Sequence, residues 1–198
     1  MLGSVASVRT DRAVTFFAHL HTERMDKVLR VELARRVEAD QAMRRAWPAR
    51  PGDGADEDEL ARLGAVDEDN TAWLRSVVAK HGWPDSSLVG EAGAHDAWLL
   101  AQHADHDPVF QTECLDLLAA AVDSGVASPV DLAYLTDRVR RARGDLQLYG
   151  TQFWRGADGL GELQPQPIAE PDRLDERRAA AGLGPFDEYQ ALMMDMHG

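Results

Sequence analysis

Cysteine is almost missing from this chain: Cys114 is its one thiol. That excludes an intrachain disulfide framework and any zinc site built on paired cysteines, and it suits a reducing compartment. The neighbours Phe110, Leu117 and Leu118 predict a buried, inert thiol, because a nucleophilic cysteine needs an adjacent base. Long apolar runs are lacking too. No window approaches the roughly 18 continuous apolar residues of a membrane span, and the N-terminus has no basic region followed by an apolar stretch. Positive charge is in deficit, with 21 basic against 34 acidic residues and a net charge of -13, which disfavours phosphate backbones as partners. These absences predict a cytoplasmic protein with neither membrane nor nucleic acid as a partner.

What is present suffices for one packed core: 198 residues, 44% of them hydrophobic, with five tryptophans. Residues 1–10 are small and polar and read as a flexible N-terminus, and 11–198 as a single helical domain. Asp11 can cap a helix through Val14, Phe17 and Leu20, whose pattern continues or restarts near Thr22 and runs to Trp47, where Pro48 stops it. Within it Met25, Leu29, Leu33 and Val37 form a stripe that continues through Asp40, Met43 and Arg44. The stretch 49–65, with Pro51, Gly52, Gly54 and an acidic run, reads as a mobile surface loop. A helix from Asp67 or Asp69 ends at His81-Gly82, and the Ser86-Ser87 pair caps the next. Asp107-Pro108 and Ser128-Pro129 each combine an N-cap with proline at the first helical position.

After Gly144 the period changes. Leu146 and Leu148 alternate with Gln147 and Tyr149, and the proline-bearing stretch 164–168 returns extended, which predicts a small extended segment or β-hairpin near 146–168. Gly156, Gly159 and Gly161 do not join a strand to a helix, so a phosphate-loop reading fails. Helices from Pro171 to Gly182 and from Phe186 to Met196 complete the chain, the Met-rich face of the last being packing surface. The fold class is mainly α, a single-domain antiparallel helical bundle with that small extended element.

Candidate chemistry centres on the stretch from Ser86 to Asp107. On one continuous helix Leu88, Ala92, His95, Leu99, Gln102, His103 and His106 share a sector of about 100°, which aims polar groups at the core and predicts a polar pocket. Histidine titrates near neutrality, and His103 is the candidate general acid/base, with Asp40 or Asp137 to orient it. Arg44 and Arg138 are candidate ligands for an anionic group. Gln41, Gln102, Gln111, Tyr134, Gln147, Tyr149, Thr151 and Gln152 would orient a small polar substrate. Burying an unpaired amide costs about 1–3 kcal/mol, so Gln102 and Gln111 need partners. His103 and His106 are spaced i, i+3, a weak metal signal without the His-Glu-x-x-His of zinc hydrolases, and no metal or cofactor is assigned. The Arg138–Arg143 cluster and the Arg177-Arg178 pair, interleaved with carboxylates, read as solvated helix faces.

A set of short motifs spans the chain from about Arg35 to Tyr189: Asp40-Gln41 with Arg44, Gly82-Trp83-Pro84, Val89-Gly90, Gln102-His103, Gln111, Ala133-Tyr134-Leu135 with Asp137-Arg138, Gln147 with Tyr149-Gly150-Thr151-Gln152, Pro167-Ile168, and Arg177-Arg178 with Gly182-Leu183. In combination they resemble a bacterial family known only as a domain of unknown function. The resemblance carries no activity with it, and neither His95 nor His106 belongs to the pattern. Three functional readings follow: a small-molecule-binding protein, leading as an enzyme with acid/base chemistry in a polar pocket; a noncatalytic protein-interaction or structural module; and a metal-dependent hydrolase or oxygenase. Self-association is left open.

Overall fold

The computed structural model describes residues 25–46, 57–156 and 161–197. The expected helix at Val14–Leu20, the flexible N-terminus, Trp47-Pro48 and positions 49–56 lie outside the described residues. Helix α1 (Lys27–Ala46) opens at Asp26, whose Oδ1 accepts from the amides of Val28 and Leu29 at 3.1 and 2.9 Å. It buries Leu29, Leu33 and Asp40 along the expected stripe. Helix α2 (Glu57–His81) starts earlier than its sequence suggests, so 57–65 is helix rather than loop. Glu57, Asp58 and Glu59 fill its first turn, where negative charge favours the helix N-terminus. The acidity that read as loop is therefore a helix start.

Helix α3 (Ser86–Gln102) is capped by Asp85, which accepts from the amides of Ser87 and Leu88, rather than by the serine pair. It is broken at Gly90, with φ 76° and ψ 166°, a left-handed backbone that glycine adopts without a Cβ penalty. At the break Leu88 offers its carbonyl to Asp26 N–H at 2.7 Å. The break resets the helical phase. Buried positions are Val89, Gly93, Ala94, Ala97, Trp98, Leu100, Ala101 and Gln102, while Ala92 and His95 are exposed. The helix ends at Gln102, and His106 lies exposed in the turn that follows. The single polar stripe expected from Ser86 to Asp107 is thus not formed: the break separates Leu88 from the rest, the helix ends before His106, and along the regular stretch between them Gln102 is covered while Ala92 and His95 are not. Gly93, Ala94, Ala97 and Ala101 give α3 a face of small side chains, and its most extensive packing is against α1.

Helix α4 (Pro108–Asp123) is capped by Asp107, which accepts from Phe110 N–H at 3.1 Å, and α5 (Pro129–Ala142) by Ser128, which accepts from Asp131 N–H at 3.2 Å. The two pack on each other. Leu33, Leu74, Val89, Ala97, Leu100, Phe110, Leu118 and Leu135 are core residues drawn from all five helices. Cys114 is wholly buried, and burial pushes its thiol up to about 12, which makes it inert as its neighbours implied.

An irregular segment then packs beside α5, held by Asp137, Arg138 and Arg140. Strands β1 (Phe153–Trp154) and β2 (Gln164–Pro165) pair antiparallel, Phe153 opposite Pro165, and Gln147 bridges Ile168 in parallel. After a 3-10 turn at Pro171–Arg173 come α6 (Leu174–Ala180) and α7 (Phe186–His197). The architecture is mainly α with a small hairpin. Among the described residues no helix is long and apolar enough to cross a membrane.

Candidate functional site

Three elements converge on His103, the residue that terminates α3. Asp40 comes from the core stripe of α1 and is fully buried. Its Oδ2 accepts from Gln41 Nε2 at 2.9 Å, and its two oxygens face Arg44 Nε at 3.1 and 3.3 Å. His103 Nδ1 lies 3.0 Å from the same Oδ2, an ion-pair separation, although the ring N–H is not aligned on the oxygen as in a regular hydrogen bond. The His103 side chain is 15% exposed, so the ring is seated on Asp40 and yet reaches the surface. From α2, Asp67 Oδ1 accepts from Arg44 Nη2 at 2.5 Å. Arg44 thereby joins two carboxylates.

The environments of those carboxylates differ. At Asp40 burial pushes the carboxyl up, but His103, Arg44 and Gln41 together outweigh it and hold the group below the usual range. At Asp67 burial dominates the pull of Arg44 and His103, and the carboxyl is raised. Asp40 is the committed anion, and Asp67 is the readier proton carrier. Asp40, Asp67 and His103 also offer donor atoms all within 4.8 Å of one another, so they could hold a metal. Arg44, however, already places a positive charge against both carboxylates, and a cation there would compete with it.

The remaining candidates gather elsewhere. Arg138 Nε donates to Asp105 Oδ1 at 2.9 Å, its Nη2 pairs with Asp105 Oδ2, and Nη1 lies 3.4 Å from Gln152 Oε1. Gln111 is fully buried, and its Nε2 caps the end of α3, donating at 3.2 Å to the carbonyls of Ala101 and Gln102 and to Asp105 Oδ1. Asp137 accepts from the amides of Leu148, Tyr149 and Thr151 and from Thr151 Oγ1, over distances of 2.6–3.1 Å. Gln147 Nε2 donates to the Gln152 and Gln166 carbonyls, while its Oε1 accepts from Gln152 N–H at 2.9 Å. These groups satisfy the irregular segment. Tyr134 stands edge-on between Trp98 and Tyr189 in a chain of aromatic rings.

Asp40, Gln41, Arg44, Gln102 and His103 therefore sit at or beside one centre, and Gln111, Asp137, Arg138, Gln147, Tyr149, Thr151 and Gln152 form a second network around the segment. Of the two carboxylates considered for orienting His103, Asp40 faces it, while Asp137 accepts from the segment's backbone. Gln102 Oε1 and Gln111 Oε1 are buried and have no hydrogen-bond partner among the described residues.

Two participants were not visible in the chain's pattern. Asp67 read only as an acidic helix start, and Asp105 carried no signal beyond its place between Gln102-His103 and Gln111. The Arg177-Arg178 pair was misread as a solvated face. Arg178 is 2% exposed and donates from Nη1 to the Tyr149 carbonyl at 2.6 Å and from Nε to the Gly184 carbonyl at 2.7 Å. Arg177 Nε donates to the Leu148 carbonyl at 2.8 Å. Both arginines face inward because the segment brings unpaired carbonyls to them.

Fold and site together define a helical bundle with a buried carboxylate, a guanidinium and an imidazole meeting at the end of its third helix. A sequence profile of the family of unknown function DUF6624 matches residues 27–198, and the chain belongs to that family. Searches of curated proteins and of solved structures return no match.

Proposed function

We propose that this protein is an enzyme, or an enzyme-like binding protein, that acts on a small polar molecule by acid/base chemistry at His103. The observation that carries the reading is the placement of His103 Nδ1 3.0 Å from the fully buried Asp40, on a ring that still reaches solvent. A buried carboxylate beside Nδ1 holds that edge of the ring toward the core, while Nε2 is left for a substrate proton. Gln102 Oε1, buried and unpartnered beside His103, can accept a substrate hydrogen bond. Asp67 is 18% exposed and can exchange a proton at the rim. Arg44 and Arg138 are each paired with carboxylates, so recognition rests on neutral hydrogen bonding more than on free positive charge. The reduced thiol and acidic surface suit a cytoplasmic setting.

The test is a thermal-shift screen of polar metabolite-sized compounds against wild type and His103→Ala, followed by turnover assays on any hit. The expected result is a ligand whose stabilisation and turnover are lost in a folded His103→Ala variant, with a rate loss of about 10²–10⁴-fold. Equal binding and turnover in the two proteins would remove His103 from the reaction.

A further inference from the structure

His103 has no aligned hydrogen bond of its own to hold its ring. Nδ1 lies 3.0 Å from Asp40 Oδ2 but off the hydrogen-bond direction, so the carboxylate attracts the ring without directing it. The ring's place is therefore set by the backbone that carries it, the turn of residues 103–107 between α3 and α4. The ends of α4 and α5 turn on glycines in the left-handed region, Gly125 at φ 73° and Gly144 at φ 79°. The turn after α3, His103-Ala104-Asp105-His106-Asp107, has no glycine. Its local bonds run from the amides of His103 and Ala104 to the carbonyls of Leu100 and Ala101, both at 3.2 Å. Side chains from elsewhere supply the rest. Gln111 Nε2 is shared at 3.2 Å among the Ala101 and Gln102 carbonyls and Asp105 Oδ1. Arg138 grips both oxygens of Asp105, and its Nη1 reaches Gln152 on the irregular segment at 3.4 Å.

Gln111 occupies its place at a cost. It is fully buried and its Oε1 has no partner among the described residues, whereas methionine there would leave no acceptor unpaired. What the position gains is the donor half of the amide, aimed at the last carbonyls before His103. Ala104, fully buried, anchors the turn from beneath. We propose that Gln111, Asp105 and Arg138 are positioning residues for His103: they hold the turn after α3 so that the ring rests against Asp40, and through Gln152 they tie that placement to the irregular segment. The two polar networks are then one device, in which the segment and α5 fix the geometry of the His103 centre. Its consequence for catalysis rests on the acid/base reading of His103, because a displacement of about 1 Å in a reacting group can cost about 10²-fold in rate.

The test compares the full wild-type chain with Asp105→Ala, Arg138→Gln and Gln111→Met, without any ligand. Two readouts follow each histidine separately: 15N spectra of the rings, and the rate of modification by diethyl pyrocarbonate mapped by peptide mass. His95 and His106 are internal references, the first lining a separate hollow near the start of α3 against Asp131 at 3.1 Å, the second exposed. In all three variants the His103 resonances should shift or broaden and its modification should quicken at least threefold, while His95 and His106 stay as in wild type. Arg140→Ala, which frees the Leu146 carbonyl but does not touch the turn, should leave His103 unchanged. Should Gln111→Met or Arg138→Gln fail to fold, Asp105→Ala, at a side chain 48% exposed, still decides. Unchanged resonances and rate at His103 in the folded variants, or equal quickening at all three histidines, would overturn the proposal. With a substrate in hand, Asp105→Ala should lower kcat at least tenfold and leave KM within about twofold. Equal turnover by wild type and His103→Ala would remove the acid/base reading alone, since the ring spectra and modification rates measure the positioning without it.

Discussion

Gly150 shows how much one side chain can decide. Its φ of 69° lies where only glycine is unstrained, and a Cβ there would stand 2.7 Å from the Phe186 ring. Gly150→Ala combines backbone strain with overpacking, at about 2–3 kcal/mol, and should lower the melting temperature by roughly 4–12 °C for a chain of this size. A thermal scan checks it, and an unchanged melting temperature would mean that Phe186 moves aside freely. Asp40 is the comparable residue at the candidate site. Asp40→Ala would strand the Gln41 and Arg44 donors and remove the partner of His103, a buried-network loss of about 3 kcal/mol. Urea unfolding at neutral pH measures that loss, and a change below about 1 kcal/mol would show that Asp67 and solvent replace the lost partner.

Between residues and fold stands the irregular segment, which has almost no ladder of its own and depends on side chains from elsewhere. Asp137 accepts from three of its amides, and Arg177 and Arg178 donate to carbonyls on it. Asp137→Asn keeps one acceptor oxygen but loses the charge that strengthens these bonds, at about 2 kcal/mol. Hydrogen exchange should then quicken at the amides of Leu148, Tyr149 and Thr151 while the centres of α4 and α5 stay protected. Equal slowing or quickening across α4 and α5 would show instead that the segment and the bundle unfold as one unit. The length of α3 belongs to this scale as well: His95 lies about two turns before His103, which terminates the helix, so the predicted polar stripe becomes two separate histidine settings, each with its own carboxylate.

For the whole molecule the linked quantity is stability against pH. The folded values of Asp40 and Asp105 are depressed; at Asp105, Arg138 outweighs the opposing effect of burial. Their contribution is present above the unfolded carboxylate value of about 4 and is lost as pH falls through the lower folded values. Asp67 has the opposite sign: burial raises it, so its contribution is fullest in acid and declines as pH rises through its folded value. The stability of Asp67→Asn relative to wild type should therefore rise between pH 3 and pH 7, as read by urea unfolding at the two ends; a flat or falling difference would contradict the buried setting of Asp67. By itself the sequence determined what local chemistry controls: the helix starts at Asp107-Pro108 and Ser128-Pro129, the stripe through Leu29, Leu33 and Asp40, the inert thiol, and the hairpin near 146–168. Caps, prolines and periodicity act within a few residues, so they are legible without a fold. The family motifs also named Asp40, Arg44 and His103 without showing that they meet. Only the tertiary structure decided that Asp40 and not Asp137 backs His103, that Asp67 shares Arg44, that Arg178 is buried, and that His95 faces a different hollow. Those outcomes depend on which helix ends come together across tens of residues, and on which neighbours cover each end of α3, and neither is written in any local pattern.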